Sequence, residues 1–217
     1  MMRYMVFDSM DLCTDEQVES MLPEVSPQRR EQALRYRHTM GRFCCLKSWM
    51  MLKEVFNVQC TMYNVQRTLG DFQYNEYGKP YITGGPCFSI SHCKEGIAVA
   101  VSDEPVGIDI EGIRHADEEL IRRVMNPAEQ EQIRSDRDFT RLWTQKEAVV
   151  KAIGTGIVSF EQLQTILVDS GKLKDERTGE VESGEWKVET FETEKYIYSI
   201  AYGKLHCISA QVPPADL

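Results

Sequence analysis

The chain has 217 residues, of which 42% are hydrophobic and 27% are charged, and these proportions are ordinary for a folded globular protein. Its net charge of −9 argues against general nucleic-acid binding, because contacts to a phosphate backbone need a basic surface. No stretch approaches the roughly 18 consecutive apolar residues of a membrane helix, and Asp8 and Asp11 interrupt the N-terminus where a signal peptide is apolar. The seven cysteines form no Cys-x-x-Cys pair, so we expect a reduced protein of the cytoplasm.

The predicted elements follow the same order in each half of the chain: a strand, then helices, then strands. The first half holds a strand from Arg3 to Phe7, a helix from Pro27 to His38 capped by Ser26, a helix from Phe43 to Phe56, a turn at Tyr77 to Pro80, and a hairpin of Cys87 to Ser91 with Ile97 to Val101. The second half holds a strand from Val106 to Glu111 and helices from Asp117 to Met125, Pro127 to Arg134 and Phe139 to Ile153, the last of which is ended by Gly154-Thr155-Gly156. An exposed turn between Asp169 and Lys187 and strands from Tyr196 to Tyr202 and His206 to Val212 follow. This order predicts an α+β protein of two similar α/β lobes, residues 1–105 and 106–217, each a small and mainly antiparallel sheet packed against helices.

A basic segment stands out in this acidic chain. Seven Lys and Arg residues lie between Arg29 and Lys53, against the single acid Glu31. Such a concentration of positive charge favours the binding of a small polyanion. A solvated helix face explains the segment as well, and charge alone favours that interpretation.

Two acidic residues share one face of the predicted strand Gly107-Ile108-Asp109-Ile110-Glu111. Strand alternation directs Asp109 and Glu111 to one side and the two isoleucines into the core. The carboxylates repel each other unless a cation compensates them, and Mg²⁺ prefers oxygen ligands. A magnesium site and a solvent-facing acidic strand edge both remain open on this spacing.

A second group of residues shares one stripe of a predicted helix. Trp143, Glu147 and Lys151 are spaced four residues apart and therefore face the same side. They could form half of an active site. The pattern alone favours the simpler interpretation, an exposed Glu–Lys pair that is worth a few tenths of a kcal/mol.

Two weaker candidates lie at element ends. Alternation places Ser89 and Ser91 on one strand face, and His92 ends that strand, where ligand groups are often presented. Glu129 follows Asn126 by three residues, which is the spacing of a helix-capping box. A structural histidine and a helix cap explain these residues equally well.

The order of these motifs resembles the Sfp-type 4′-phosphopantetheinyl transferase family. The matching segments are Tyr77-Gly78-Lys79-Pro80, Ile90-Ser91-His92, Gly107-Ile108-Asp109-Ile110-Glu111 and the Trp-x-x-Lys-Glu-x-x-x-Lys helix from Trp143 to Lys151. With the basic N-terminal segment, the resemblance covers nearly the whole chain. It implies a Mg²⁺-dependent enzyme that moves the phosphopantetheine arm of coenzyme A to a serine of an apo acyl or peptidyl carrier protein and releases adenosine 3′,5′-bisphosphate. It also implies a pseudo-two-fold monomer with coenzyme A in the cleft between its lobes.

The resemblance implies roles for individual residues as well. Asp109, Glu111 and Glu147 match the family's metal ligands, Lys151 matches a lysine at the pyrophosphate, Ser91 and His92 match phosphate contacts, Arg29 and Arg42 match contacts to the 3′-phosphate, and Gly78, Lys79 and Pro80 match the segment beside the adenine. Glu147 is our first choice for the general base, directly or through a metal-bound water. Glu129 matches an acid in the metal neighbourhood and is a further catalytic candidate, so its capping interpretation has a competitor.

The chain also departs from the family pattern. Ser89 stands where the family often has asparagine, and Gln32 stands where it has a lysine, so the 3′-phosphate pocket is expected to differ in detail. Two other functions remain: a different Mg²⁺-dependent phosphohydrolase, and a non-catalytic module that binds a carrier protein or a nucleotide. The first leaves the basic segment unexplained, and the second gains nothing from clustered carboxylates.

Overall fold

The computed structural model describes residues 2–62, 72–157, 160–166 and 187–203. Its elements in chain order are β1 (Arg3–Phe7), α1 (Asp15–Met21), α2 (Pro27–Leu34), α3 (Thr39–Met62), β2 (Gln73–Tyr74), β3 (Pro80–Tyr81), β4 (Cys87–His92), β5 (Ile97–Ser102), β6 (Val106–Gly112), α4 (Glu118–Val124), α5 (Pro127–Gln130), α6 (Asp136–Ile153), α7 (Phe160–Thr165), β7 (Lys187–Glu192) and β8 (Tyr196–Tyr202). None of the helices in these ranges is long and apolar enough to cross a membrane.

Two three-stranded antiparallel sheets repeat one topology. The strand order is β1-β5-β4 in the first sheet and β6-β8-β7 in the second. In each sheet an initial strand is followed by helices and then by a hairpin, whose second strand returns beside the initial one. The expected α+β class is therefore confirmed, and the order of elements recurs as the sequence predicts. The division into lobes at residue 105 stays a prediction.

Each sheet is covered by one long helix. Phe43, Leu46 and Trp49 of α3 are buried in the first core, whereas Phe139 and Trp143 of α6 are buried in the second. These positions recur every three or four residues, as the helical period requires.

A third core lies where the two sheets meet. Ala98 and Ala100 of β5 pack in one cluster with Ile108 and Ile110 of β6, and all four are fully buried. Burial of each isoleucine contributes about 1.5–3 kcal/mol. The alternation of β6 thus fixes the two halves of the chain against each other.

Serine side chains join the sheets along β4 and β6, which belong to different sheets. The Ile108 N–H donates to Ser89 Oγ at 3.0 Å, and the Ile110 N–H donates to Ser91 Oγ at 3.3 Å. Both serines are buried. The hydroxyls therefore satisfy edge N–H groups that would otherwise be costly to bury.

The approach of β6 to α6 depends on a glycine. A Cβ added at Gly107 would lie 1.9 Å from the Ala148 carbonyl oxygen, so any larger residue would push the helix away. At its other end α6 stops at Gly154, which adopts φ 86° in the left-handed region, as the predicted glycine stop requires.

Several predicted bounds are wrong. Helix α2 ends at Leu34 rather than near His38, because residues 35–38 are exposed and offer no apolar face to extend it. Helix α5 ends at Gln130 rather than Arg134, and α6 begins at Asp136, because the Ser135 side chain caps the next helix by accepting from Asp138 N–H. The predicted strand from His206 to Val212, and almost all of the predicted turn from Asp169 to Lys187, lie outside the described residues.

Candidate active site

The acidic strand and the Trp-x-x-Lys-Glu helix face each other. Asp109 follows Gly107 by two residues on β6, and Gly107 lies against Ala148 of α6. Asp109 and Glu111 therefore project toward the side of the sheet that α6 covers, where Glu147 and Lys151 stand one helical turn apart. Two elements that are distant in sequence thus supply one polar cluster.

Lys151 pairs with the strand rather than with its helical neighbour. Its Nζ lies 2.6 Å from Asp109 Oδ1 and donates to Ser91 Oγ at 2.9 Å. The Ser91 hydroxyl in turn donates to Asp109 Oδ1 at 2.9 Å. The simple Glu147–Lys151 surface pair, which the spacing alone favours, is therefore not the contact that this lysine makes.

The carboxylates strongly influence one another. Burial, and then the charge of Asp109, raise the pKa of Glu111. The same two causes raise the pKa of Glu147 to about 7, and Glu111 adds to the effect. Lys151 and Arg114 act in the opposite direction on both glutamates. Burial and the neighbouring carboxylates thus outweigh the two nearby cations and disfavour the charged form of both glutamates.

The donor set suits a hard divalent cation. Asp109 is 3% exposed, and its Oδ2 has no hydrogen-bond partner among the described residues. Oxygen ligands of this kind are those that Mg²⁺ prefers. No three His, Cys, Asp or Glu side chains in the described ranges already surround one metal position, so the assignment of Asp109, Glu111 and Glu147 as ligands stays a prediction.

The turn between β2 and β3 docks on the end of α6. Asn75 Oδ1 accepts from the Tyr77 and Lys79 N–H groups, while its side-chain amide donates to the Gly154 carbonyl at 3.0 Å. Lys79 Nζ donates to the Ala152 carbonyl at 3.0 Å. These bonds satisfy carbonyls at the negative end of the helix. The turn is therefore held beside α6, the helix that carries Glu147 and Lys151.

A cleft of about 210 Å³ lies between this turn, β4 and the end of α6. Its lining includes Gly78, Lys79, Pro80 and Lys151. The structure therefore brings the predicted adenine segment and the predicted pyrophosphate lysine to one cavity. The Lys79 ammonium is already bound to α6, and burial lowers its pKa.

Ser91 and His92 differ in how they are presented. Ser91 is buried and its hydroxyl is used by Asp109, Lys151 and the Ile110 N–H. His92 ends β4 with its side chain open to solvent, although the surrounding protein, and then the charge of Lys151, lower its pKa. Of the two, only His92 is exposed to an incoming phosphate.

Arg29 is a buried cation. It is 7% exposed and lies 4.3 Å over the Phe72 ring. Its Nη1 donates to Gln32 Oε1 at 2.9 Å and to Cys45 Sγ at 3.5 Å, whereas its Nη2 is buried without a partner among the described residues. Gln32, where the family has a lysine, thus orients the Arg29 guanidinium.

The other basic residues do not form one patch. Arg42 Nε donates to the Tyr36 carbonyl at 2.9 Å, and Lys47 lies over the Phe7 ring. Arg35 forms an exposed pair with Glu31. These side chains therefore make separate contacts, and the binding of a polyanion by this segment stays a prediction, as do the roles of Arg29 and Arg42.

Glu129 forms the helix cap that its spacing predicts. Its side chain accepts from the Asn126 N–H, and its own N–H donates to the Asn126 side chain. Its Oε2 also lies 2.8 Å from the Nζ of Lys146, which is fully buried and donates to the Leu163 and Ile166 carbonyls. The cap is confirmed. The catalytic role finds no support in these contacts, which connect Glu129 to α5, α6 and α7 and not to Asp109.

Sequence reasoning missed Arg114. Its guanidinium lies 4.9 Å over the Trp143 ring, and its charge lowers the pKa of Glu111 and Glu147. The signal was available, because Arg114 follows Glu111 by three residues. Its significance depends on the position of Trp143, which the spacing along the chain did not give.

A family model described as the 4′-phosphopantetheinyl transferase superfamily matches residues 105–201, a range that contains β6 and α6. This region of the chain is therefore similar to that superfamily. The chain is 29% identical over 165 residues to the 4′-phosphopantetheinyl transferase gsp of Aneurinibacillus migulanus, covering 68% of this chain and 67% of the relative. It is 28% identical over 167 residues to a 4′-phosphopantetheinyl transferase of Bacillus subtilis, covering 73% of each, and 34% identical over 117 residues to HetI of Nostoc, covering 48% and 49%. The family resemblance is confirmed, and with it a transferase whose family uses coenzyme A and acts on carrier proteins.

Proposed function

We propose that the cleft beside α6 transfers the 4′-phosphopantetheine arm of coenzyme A to a serine of an apo acyl or peptidyl carrier protein and releases adenosine 3′,5′-bisphosphate. One observation carries the proposal. Lys151, which lines this cleft, forms a close pair with Asp109, and its charge also acts on Glu111 and Glu147, two carboxylates of raised pKa. Charged groups of both signs are what the cleavage of a pyrophosphate needs.

Three carboxylates supply the proposed metal site. Asp109, Glu111 and Glu147 would hold one Mg²⁺, and the unpartnered Oδ2 of Asp109 offers an available ligand atom. When bound, the ion would offset the charge of the pyrophosphate and of the departing phosphate. The raised pKa values of the two glutamates, caused first by burial and then by the charge of Asp109, support this assignment, because a bound cation would relieve both effects.

Glu147 is the proposed general base. In the protein without the ion, burial and the charges of Asp109 and Glu111 raise its pKa to about 7, which is the range that suits a general base near neutral pH. The carrier serine oxygen would attack the β-phosphorus as its proton passes to Glu147, directly or through a water. The bond from that phosphorus to the leaving adenosine bisphosphate would break, and the Lys151 ammonium would stabilise the negative charge on the leaving group.

The N-terminal half would hold the nucleotide. The turn from Gly78 to Pro80 lines the cleft and supports an adenine site there. The open His92 and the unused Nη2 of Arg29 support contacts to the 3′-phosphate, together with Arg42. Because every proposed group comes from one chain, we expect a monomer to be active. We also expect a cytoplasmic location and a division between the lobes near residue 105.

Intact-mass measurement tests the function. The protein is incubated with coenzyme A, Mg²⁺ and a panel of apo carrier proteins from fatty-acid, polyketide and peptide synthesis. The proposal predicts that at least one carrier gains one phosphopantetheine group, and that a chelator prevents the gain. Phosphate release without attachment would indicate a phosphohydrolase. Binding without any product would indicate a non-catalytic module.

A further inference from the structure

Resting on the proposed function, we propose that Lys151 acts as an internal cation that occupies Asp109 in the metal-free protein and leaves it when the divalent ion binds. The Lys151 side chain would thereby have two alternative positions, one against the Asp109 carboxylate and one in the cleft. Metal entry would then place a free ammonium where the anionic substrate binds.

The first step of the argument is the burial of Asp109. The residue is 3% exposed, and a buried carboxylate without compensation is costly. Lys151 Nζ at 2.6 Å and the Ser91 hydroxyl at 2.9 Å both contact its Oδ1. Lys151 therefore supplies a positive charge at the carboxylate where the proposed ion would bind.

The second step is that the two cations compete. A divalent ion on the same carboxylate would repel the ammonium at close range. Ser91 does not have this conflict, because its hydroxyl is neutral and is also fixed by the Ile110 N–H. Ser91 can therefore keep Asp109 oriented after the lysine has left.

The third step is that Lys151 has somewhere to go. Its side chain is 30% exposed, and the residue lines the cleft together with Gly78 and Ser89. A rotation of this flexible side chain moves the ammonium from Asp109 into the cavity without disturbing α6. A phosphate group bound in that cavity would then pair with the Lys151 ammonium.

Arg114 provides a matched control. Like Lys151, it lowers the pKa of Glu111 and Glu147, so both cations act on the same carboxylates. Its guanidinium lies over the Phe139 and Trp143 rings rather than on Asp109. Removal of Arg114 therefore relieves general charge repulsion against a metal ion without removing a group that must be displaced.

The test is a calorimetric titration of MgCl₂ into chelator-treated protein without coenzyme A. Lys151→Met should bind Mg²⁺ at least about tenfold more tightly than the unmodified protein, the factor expected for losing one competing charge-assisted hydrogen bond. Arg114→Met should gain much less. Without metal Lys151→Met should also melt at a lower temperature, and saturating Mg²⁺ should close that difference. If the methionine variant does not fold, Lys151→Gln removes the charge and keeps a hydrogen-bond donor.

Three outcomes would overturn the inference. They are equal Mg²⁺ affinity in the unmodified protein and the Lys151 variants, weaker binding in those variants, and equal gains in the Lys151 and Arg114 variants. If arm transfer proceeds while any of these holds, the proposed function stands and only the internal-cation role falls. If none of the forms binds Mg²⁺, the metal assignment falls with it.

Discussion

Glu147→Gln should stabilise the metal-free protein while it destroys activity. The glutamine keeps the shape of the side chain but carries no charge into a site where burial, Asp109 and Glu111 disfavour one. Activity should fall at least about 100-fold if Glu147 is the general base. Opposite effects on stability and activity are expected where a functional site holds unfavourable charge.

The size of the stabilisation follows from the pKa. The value for Glu147 rises from 4.5 to about 7 in the folded protein, and each unit is worth about 1.4 kcal/mol. Because the folded value is raised, protonation stabilises the folded state. That contribution is fully present below the unfolded value of 4.5 and is lost as the pH rises through about 7. At pH 8 the charged Glu147 should lower the free energy of unfolding by up to about 3 kcal/mol, and a glutamine at this position should not lower it.

Urea unfolding in the presence of a chelator measures this directly. The two proteins should differ by less than about 1 kcal/mol at pH 5, and Glu147→Gln should be up to about 3 kcal/mol more stable at pH 8. In melting temperature this is about 6–12 °C for a chain of this size. Glu19→Gln, which removes an exposed charge from α1, should change stability by no more than about 0.5 kcal/mol. A difference for Glu147→Gln that does not change with pH would refute the shared field of the three carboxylates.

Three further predictions follow from the same geometry. A chelator should abolish transfer and added Mg²⁺ should restore it, whereas chelator-insensitive turnover would contradict the metal assignment. Arg42→Ala or His92→Ala should raise the KM for coenzyme A by roughly ten- to a hundredfold and should reduce the penalty for dephospho-coenzyme A, whereas equal KM shifts for the two nucleotides would place the 3′-phosphate elsewhere. Lys146→Met should lower the free energy of unfolding in urea by about 3–5 kcal/mol, because it leaves Glu129 buried without its cation. The double variant Lys146→Met/Glu129→Gln should recover part of that loss. If the double variant loses as much stability as Lys146→Met alone, or more, the two residues are not coupled.

Local periodicity made much of the site predictable. The period of two in β6 separates Asp109 and Glu111 from the buried isoleucines, and the helical period places Glu147 and Lys151 on one stripe of α6. The helix caps at Ser26 and Gly154 could also be predicted from the sequence, because each depends on residues within one turn of the helix end.

Contacts between distant elements could not be predicted in this way. Lys151 pairs with Asp109 because Gly107 lets β6 pack closely against α6. Neither the period of two in β6 nor the helical period in α6 predicts this packing. Arg29 appeared as one of seven similar charges, although the structure buries it against Phe72 and Cys45. Charge counts along the chain do not show which cations point inward.

The most direct test of the account is the rate of carrier modification by Asp109→Ala. Transfer is followed by intact mass of the carrier and by release of adenosine 3′,5′-bisphosphate, with the melting curve of the variant recorded alongside. The account predicts that the unmodified protein forms one bisphosphate for each carrier modified, and that the folded variant forms neither product. A folded Asp109→Ala protein that modifies its carrier at the normal rate would contradict the claim that Asp109 of β6, together with Glu147 and Lys151 of α6, performs the reaction.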